Sequence, residues 1–478
     1  MPVLPCQSLY GLPEAAGLGS LAALAEPGLG VNDCVGRLKR YHYVLQRTWR
    51  LLLGRLAAEP IYELKMAWSQ HAHLAAEHIS SVRARVAEMR HPPLGLEKIP
   101  HEGLRLLFDE LQAAPTAADL IHGLYEVALP ALRQACAEHL ECSNRLADAP
   151  TCRLLKFALL EFDEMIGWGK AAMASQLPAA RPPRGGADWT ALLEQCLAAA
   201  GGVGGAGEAV QALPGPHFSA GPWVYDKVPQ RDARFPDPYN MGVHAEAFLY
   251  DPQFPARAKT LMMYYKRLRE IDVPEMMASI LTEMGDKPWE FYRDLTRQLW
   301  DEARHAMMGE VGFVAQGIDW SRLVMVNFTW SKGLNEQLTA QERHAVLWFI
   351  EQGLMNKTGK RFEWEVGTAS GDALAEAFQD YDWADEVLHA RIGRDWFVKD
   401  FDNDPHRAAA YGSACWSKVV SDWEQLRRDG LTEHRNWWPE LYGEFCRLRG
   451  ETPDPAARAF ATTYQETRAD LNRISASG

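Results

Sequence analysis

The sequence contains no Cys-x-x-Cys pair, no long run of charge of one sign, and no apolar stretch long enough to cross a bilayer. Its 8 cysteines (Cys6, Cys34, Cys136, Cys142, Cys152, Cys196, Cys415 and Cys446) are scattered. That spacing excludes a Cys-paired zinc site and reads as reduced core thiols rather than a disulfide framework. The missing basic run and a formal net charge of −13 exclude nucleic acid as the expected partner. A membrane-spanning helix needs about 20 apolar residues, and none is present. The start Met1-Pro2-Val3-Leu4-Pro5 lacks the charged segment of a secretory signal, so the expected location is cytoplasmic. What is present is ordinary globular composition over 478 residues, enough for two or three domains with their own cores.

Apolar residues recur at helical spacing through most of the chain. Leu38, Tyr41, Leu45, Trp49, Leu52 and Leu56 define a helix over 33–58. Further helices are predicted over 62–89, over 117–146 with a kink at Pro130, and from Thr151 to about Gln176. Residues 178–250 break the pattern: Pro182-Pro183-Arg184-Gly185-Gly186 and Gly201-Gly202-Val203-Gly204-Gly205 flank a short apolar segment. An aromatic- and proline-rich run follows, and the whole stretch reads as a linker. Helices then resume over 255–284, 288–316, 338–358 and 373–399, with more beyond 405. The expected organisation is a helical bundle over 33–177, a linker over 178–250, a second bundle over 251–404 and C-terminal helices over 405–478.

Within the second bundle, Glu302-Ala303-Arg304-His305 recurs as Glu386-Val387-Leu388-His389. Residues three apart on a helix share a face, so one carboxylate and one imidazole can grip one ion together. Each pair follows a helix with a further glutamate: Glu270 stands 32 residues before Glu302, and Glu351 stands 35 before Glu386. Such intervals suit antiparallel helices joined by a short turn. Two glutamates plus two Glu-x-x-His pairs make the ligand set of a dinuclear metal site in a four-helix bundle. Glu275 rivals Glu270 on the first helix, and Asp272 is a lesser candidate. Pro274, four residues after Glu270, should bend that helix. Asp301 and Asp385 each precede a ligand glutamate, which suggests that each partners the histidine of the opposite pair. Trp300, Tyr264, Tyr265 and Trp348 read as core, and Arg304 and Glu310 as flanking or solvated.

On these six residues the chain resembles the ferritin-like di-iron carboxylate superfamily. The resemblance implies an all-α fold with tandem four-helix bundles, and two iron ions, or manganese or a mixed pair, held by Glu270, Glu302, His305, Glu351, Glu386 and His389. Carboxylate-rich sites without cysteine suit metals of intermediate hardness. The function implied is oxidation of a small organic substrate by O₂, with an electron donor and a homodimer as further expectations. Linker residues Trp223, Tyr225, Phe235, Tyr239, His244 and Glu246 could cover such a site. The alternative is iron or peroxide handling (ferroxidase or catalase-type) without an organic substrate. A third reading is a metal-free scaffold with these charges on its surface.

The first half reads as a degenerate copy. Trp68-Ser69-Gln70-His71-Ala72-His73 aligns with Trp300 to His305, Gln70 replacing the glutamate. Glu126 precedes Glu161 by 35 residues, and Glu161-Phe162-Asp163-Glu164 replaces a Glu-x-x-His. Tyr41, His42 and Tyr43 stand where the first glutamate is needed. Gln70, His73, Glu126, Glu161 and Glu164 could hold one ion weakly or none, and they read as a pseudo-site kept as scaffold or dimer partner. Uncharacterised bacterial ferritin-like proteins resemble this arrangement.

Overall fold

The structure is a computed structural model that describes residues 10–89, 95–175, 186–207, 212–355, 359–419 and 423–464. Among them all regular elements are helical, and no helix is long and apolar enough to cross a membrane. The chain divides into two compact units: residues 1–51 with 71–224, and residues 52–70 with 225–478.

The first unit draws on α1 (Val31–Leu56) and α2 (Tyr62–Glu88), with α3 (Glu102–Gln112), α4 (Leu129–Cys142), α5 (Ala149–Ala174) and α6 (Gly186–Ala199). Leu38, Tyr41, Leu45 and Trp49 are all buried, as their spacing requires. The helix expected over 117–146 is instead three pieces: Ala117–Ile121, a π-helical turn His122–Ala128, and α4. Pro130 has no N–H to donate back to Glu126, and the widened turn absorbs that loss ahead of α4. Two elements lie where the sequence suggested connections. The apolar stripe of α3 (Leu104, Leu107, Phe108, Leu111) is buried, as are Trp189, Leu193 and Cys196 of α6. Glu110, fully buried, accepts hydrogen bonds from Trp189 Nε1 at 2.9 Å and from the backbone N–H groups of His217, Phe218 and Ser219 at 2.7–3.0 Å. The stretch 178–250, expected as a linker, is therefore shared between the units: 186–224 joins the first and 225–250 the second. The expected boundary at 177–178 lies outside the described residues.

The second unit contains α7 (Ala256–Arg269), α8 (Asp272–Glu283), α9 (Trp289–Ala315), α10 (Ala340–Leu354), α11 (Lys360–Ser370), α12 (Ala373–Trp396), α13 (Pro405–Lys418) and α14 (Trp438–Arg449). Helix α9 packs against α7, α8 and α12, and α10 packs against α12. The single bent helix expected over 255–284 is broken into α7 and α8. Pro274 cannot donate to the Glu270 carbonyl, so the Val273 N–H takes it at 3.0 Å and the chain tightens into a turn. The break leaves Glu270 as the C-cap of α7. Gly309, one turn beyond His305, lets α7 come close: a Cβ there would sit 2.3 Å from the Leu268 N. Asp372 Oδ2, at the N-cap of α12, accepts from Tyr264 of α7 at 2.9 Å and from Gln316 at the C-cap of α9 at 2.8 Å. One carboxylate thus ties three helices together. In the aromatic segment, Phe235 packs on Tyr62 and Trp320, and His244 stacks on Tyr464.

His139 in α4 is fully buried beside Tyr41, and neither ring nitrogen has a hydrogen-bond partner. Burial, aided by Arg37, pushes its pKa down to about 4. A depressed histidine pKa contributes no penalty above the unfolded value of about 6.5, and costs stability as pH falls from there towards 4, because the unfolded chain then binds the extra proton. At pH 5 the cost is about 2 kcal/mol. His139→Phe, which keeps a ring but cannot titrate, is expected to gain stability over wild type at pH 5 and to lose most of that advantage at pH 7.5. Urea midpoints at the two pH values measure this, and an equal difference at both would contradict it.

Candidate metal centre

The six residues singled out by spacing come together in the second unit. Glu302 and His305 project from α9, Glu351 from α10, Glu386 and His389 from α12, and Glu270 from the end of α7. Ligand-type atoms of Glu302, Glu351, Glu386 and His389 lie within 4.8 Å of one another, as do those of Glu270, Glu302 and His305. The two groups share Glu302, and the imidazole centroids of His305 and His389 are 5.9 Å apart. Both histidines are fully buried, so the reading that left these charges on the surface is excluded.

Sequence spacing did not single out the fifth carboxylate. Asp382 stands four residues before Glu386, one turn back on the same face of α12, and groups with His305 and Glu386. Its i, i+4, i+7 relation to Glu386 and His389 was the available signal. Lys360 and Glu363 were also missed because they lie on α11, a helix that the apolar pattern did not reveal. Lys360 Nζ lies 2.7 Å from Glu386 Oε1, 2.9 Å from Asp382 Oδ1 and 3.4 Å from Glu270 Oε1. Arg267 pairs with Asp382, with Glu270 at 2.9 Å and with Glu363 at 3.4 Å. Lys266 closes the set on Glu363.

Five carboxylates thus share two cationic side chains, Lys360 and Arg267, and the imidazoles of His305 and His389, and the lysine and arginine alone do not match them. The consequence is visible atom by atom. Among the described residues, six buried carboxylate oxygens lack a hydrogen-bond partner, and five belong here: Glu270 Oε2, Glu302 Oε1, Glu351 Oε2, Asp382 Oδ2 and Glu386 Oε2. The Nδ1 atoms of His305 and His389 are likewise without a hydrogen bond. His389 Nδ1 does approach Glu302 Oε1 to 3.1 Å, an ion-pair distance without hydrogen-bond alignment. Burial, together with the negative charges of Glu386 and Glu302, pushes the Glu351 carboxyl well above its ordinary range. Burial raises Glu302 too, but the close imidazoles of His305 and His389 prevail and hold it down at about 2.

The far sides of the imidazoles are fixed by a crossed arrangement. His389 Nε2 lies 3.5 Å from Asp301 of α9, and His305 Nε2 lies 3.2 Å from Asp385 of α12. This is the exchange of partners that the placement of the two aspartates suggested. Arg304 bridges Asp301 and Asp385, and Arg297 adds a contact to Asp301 at 2.9 Å. Gln298 Nε2 donates to Glu351 Oε1 at 3.2 Å. Glu310 stands elsewhere, beside Tyr62 and Trp320.

Glu275, the rival to Glu270, is outside the centre. It is fully buried in an ion network with Lys65 and Arg231, and Ser331 donates to it at 2.6 Å. Asp272 joins the same network through Arg231, and burial raises its pKa to about 6 against the pull of that guanidinium. Among the described residues the first-half candidates His73, Glu126, Glu161 and Glu164 make no group of ligand-type atoms, although His73 lies near enough to Glu161 to lower its pKa. Glu126 is exposed and bonded to His122 at 2.5 Å, Glu161 pairs with His78 at 2.7 Å, and Glu164 is exposed. Gln70 is exposed and groups with the second unit, whereas His73 groups with the first. The first unit instead brings together Cys34, His139 and Asp148. There Asp148 is committed to Arg85 at 2.7 Å and to the Cys34 thiol at 3.1 Å, and burial pushes that thiol up to about 12.

Removing Glu275 leaves Lys65 and Arg231 buried without that carboxylate. Glu275→Ala is expected to cost about 3–5 kcal/mol in urea unfolding at pH 7. Bound metal in the folded fraction is expected to equal wild type, and a loss of metal would return Glu275 to the centre. No family model matches the chain, and no curated protein or solved structure is significantly similar to it.

Proposed function

We propose that this centre holds two divalent ions, iron with manganese as the alternative, in a ferritin-like bundle, and that the protein is an O₂-using oxidoreductase acting on a small organic substrate. The observation that carries the metal reading is the convergence of five carboxylate oxygens and two imidazole nitrogens without hydrogen-bond partners in a cluster that is buried except at Glu270, which is half-buried. Unpaired carboxylates in a dry interior cost several kcal/mol each, and cations that offset them are the economical solution. The donors fit such ions: carboxylate and imidazole without thiolate select metals of intermediate hardness.

Glu302, Glu351, Glu386 and His389 would hold one ion; Glu270, Glu302 and His305, with Asp382 and Glu386 adjacent, would hold the other. When bound, such a pair supplies electrons to O₂ and open coordination positions. The protein's own residues do the rest. Asp301 and Asp385 accept the Nε2–H of His389 and His305, which sets the tautomer that leaves each Nδ1 lone pair facing the carboxylates. Arg304 and Arg297 hold those aspartates ionised and in place. Gln298 orients Glu351. The surrounding helices exclude bulk water.

A second reading, ferroxidase or peroxide handling without an organic substrate, is favoured by the burial itself. Glu302 and Glu386 are each 1% exposed and Glu351 is 4% exposed, which suits small reactants.

Anaerobic reconstitution with Fe(II) or Mn(II) followed by elemental analysis is expected to reach two ions per chain at saturating metal. Glu302→Ala should lose the most, because both halves share that carboxylate, and Glu386→Ala should lose metal as well. Equal metal in wild type and both variants would reject these residues as ligands. With Fe(II) bound, O₂ uptake that rises with an added organic substrate supports the oxygenase. Uptake tied only to continuing Fe(II) oxidation supports the second reading.

A further inference from the structure

The two halves of the centre are differently supplied with positive charge. At the His389 half, Glu351 has only the neutral Gln298 amide as a side-chain donor, the ion-pair contacts of Glu302 are with the two histidines, and Glu386 turns Oε2 towards His389 at 3.6 Å while its Oε1 meets Lys360. At the His305 half, Glu270 and Asp382 each contact both Arg267 and Lys360, and Lys360 also takes the second oxygen of Glu386. Arg267 belongs to α7, the helix that ends in Glu270, and is further held by Glu363. Lys360 comes from α11, which contributes none of the six ligand-type residues. It is 1% exposed, and its ammonium is a compact charge whose donors are matched by three carboxylates.

We propose that Lys360 is a built-in counter-ion that makes the two halves unequal. The His389 half takes a divalent ion first, and the His305 half takes one only by displacing the Lys360 ammonium from Glu270, Asp382 and Glu386. This rests on the metal reading above. A full complement of two ions then requires Lys360 to withdraw, whereas the six ligand-type residues stay on helices already packed together. The ammonium also offsets part of the acidic excess while the His305 half holds no ion.

The test is anaerobic titration of the full chain with Mn(II), read as bound ions by equilibrium dialysis and as isolated or coupled Mn(II) by electron paramagnetic resonance. Wild type is expected to bind one ion tightly and a second at least tenfold more weakly, with the coupled signal confined to the second step. Lys360→Met is expected to strengthen the second step at least tenfold, and Lys360→Arg to leave the two steps unequal. In a chain that keeps Lys360, His389→Ala should abolish the tight step and His305→Ala only the weak one. This comparison decides the order of filling even if Lys360→Met does not fold. Two equal steps in wild type, an unchanged second step in Lys360→Met, or the reverse histidine pattern would each overturn the proposal and leave the metal reading standing. No bound ion in wild type or in Lys360→Met would overturn both.

Discussion

The second unit is organised around a concentration of carboxylates in its buried interior. Glu302 sits at the middle of that concentration, as the carboxylate common to both halves of the cluster, and is almost fully buried. A carboxylate in a low-dielectric interior is tolerated only when hydrogen bonds, a counter-charge or a proton compensates it. All three bear on the cluster within a few ångströms: imidazoles on Glu302, Lys360 on Glu386, and at Glu351 a carboxyl that burial and the neighbouring Glu386 and Glu302 push well above its ordinary range. They do not cover the whole set. The unpartnered oxygens mark where compensation stops.

The surrounding packing makes sense as support for that arrangement. Helices α9 and α12 could carry their Glu-x-x-His pairs on any face; what aims them is the exchange of Asp301 and Asp385 across the two helices and the arginine bridge above it. Because each aspartate is one residue from its own glutamate, a rotation of either helix would break both a histidine contact and a carboxylate position. Gly309 adds a steric condition, since any larger residue there would lift α7 and carry Glu270 away from His305. The Asp372 cap fixes the same three helices at the other end of their contact.

Much of this was legible in the sequence because helical spacing is a local rule. The two Glu-x-x-His pairs, the preceding glutamates and the flanking aspartates all lie on, or at the end of, helices that the sequence pattern places. The choice between Glu270 and Glu275 depended on something less local. The turn forced by Pro274 separates α7 from α8, so the two glutamates end up on different helices and in different networks. Lys360 and Glu363 could not be read in advance, since their partners are distant in sequence and α11 is short, whereas Arg267 stands one turn before Glu270 but meets Asp382 and Glu363 from far along the chain. The first half shows the opposite failure. Gln70, His73, Glu126, Glu161 and Glu164 have suitable intervals, but the π-turn before Pro130 and the separate α3 and α6 give that unit a different build. Interval alone does not make a site.

The chain itself supplies a control for the view that unpartnered oxygens mean something. Glu110 is as deeply buried as Glu302 and has no cation in contact, yet four neighbours donate to it through an indole, a hydroxyl and backbone N–H groups. Glu275 is equally buried and is met by two cations and a serine. These residues show that this fold can neutralise an interior carboxylate in two ways, by a nest of neutral donors or by a closed ion network. Neither device is used on the open faces of Glu302, Glu351 and Glu386. Those faces point at one another, with the Nδ1 atoms of two oriented histidines among them. A sequence selected for stability alone could have replaced any of the three with an apolar residue at little cost. All three are present, braced from behind and bare in front, and that is the contrast on which the proposal of a cation site rests.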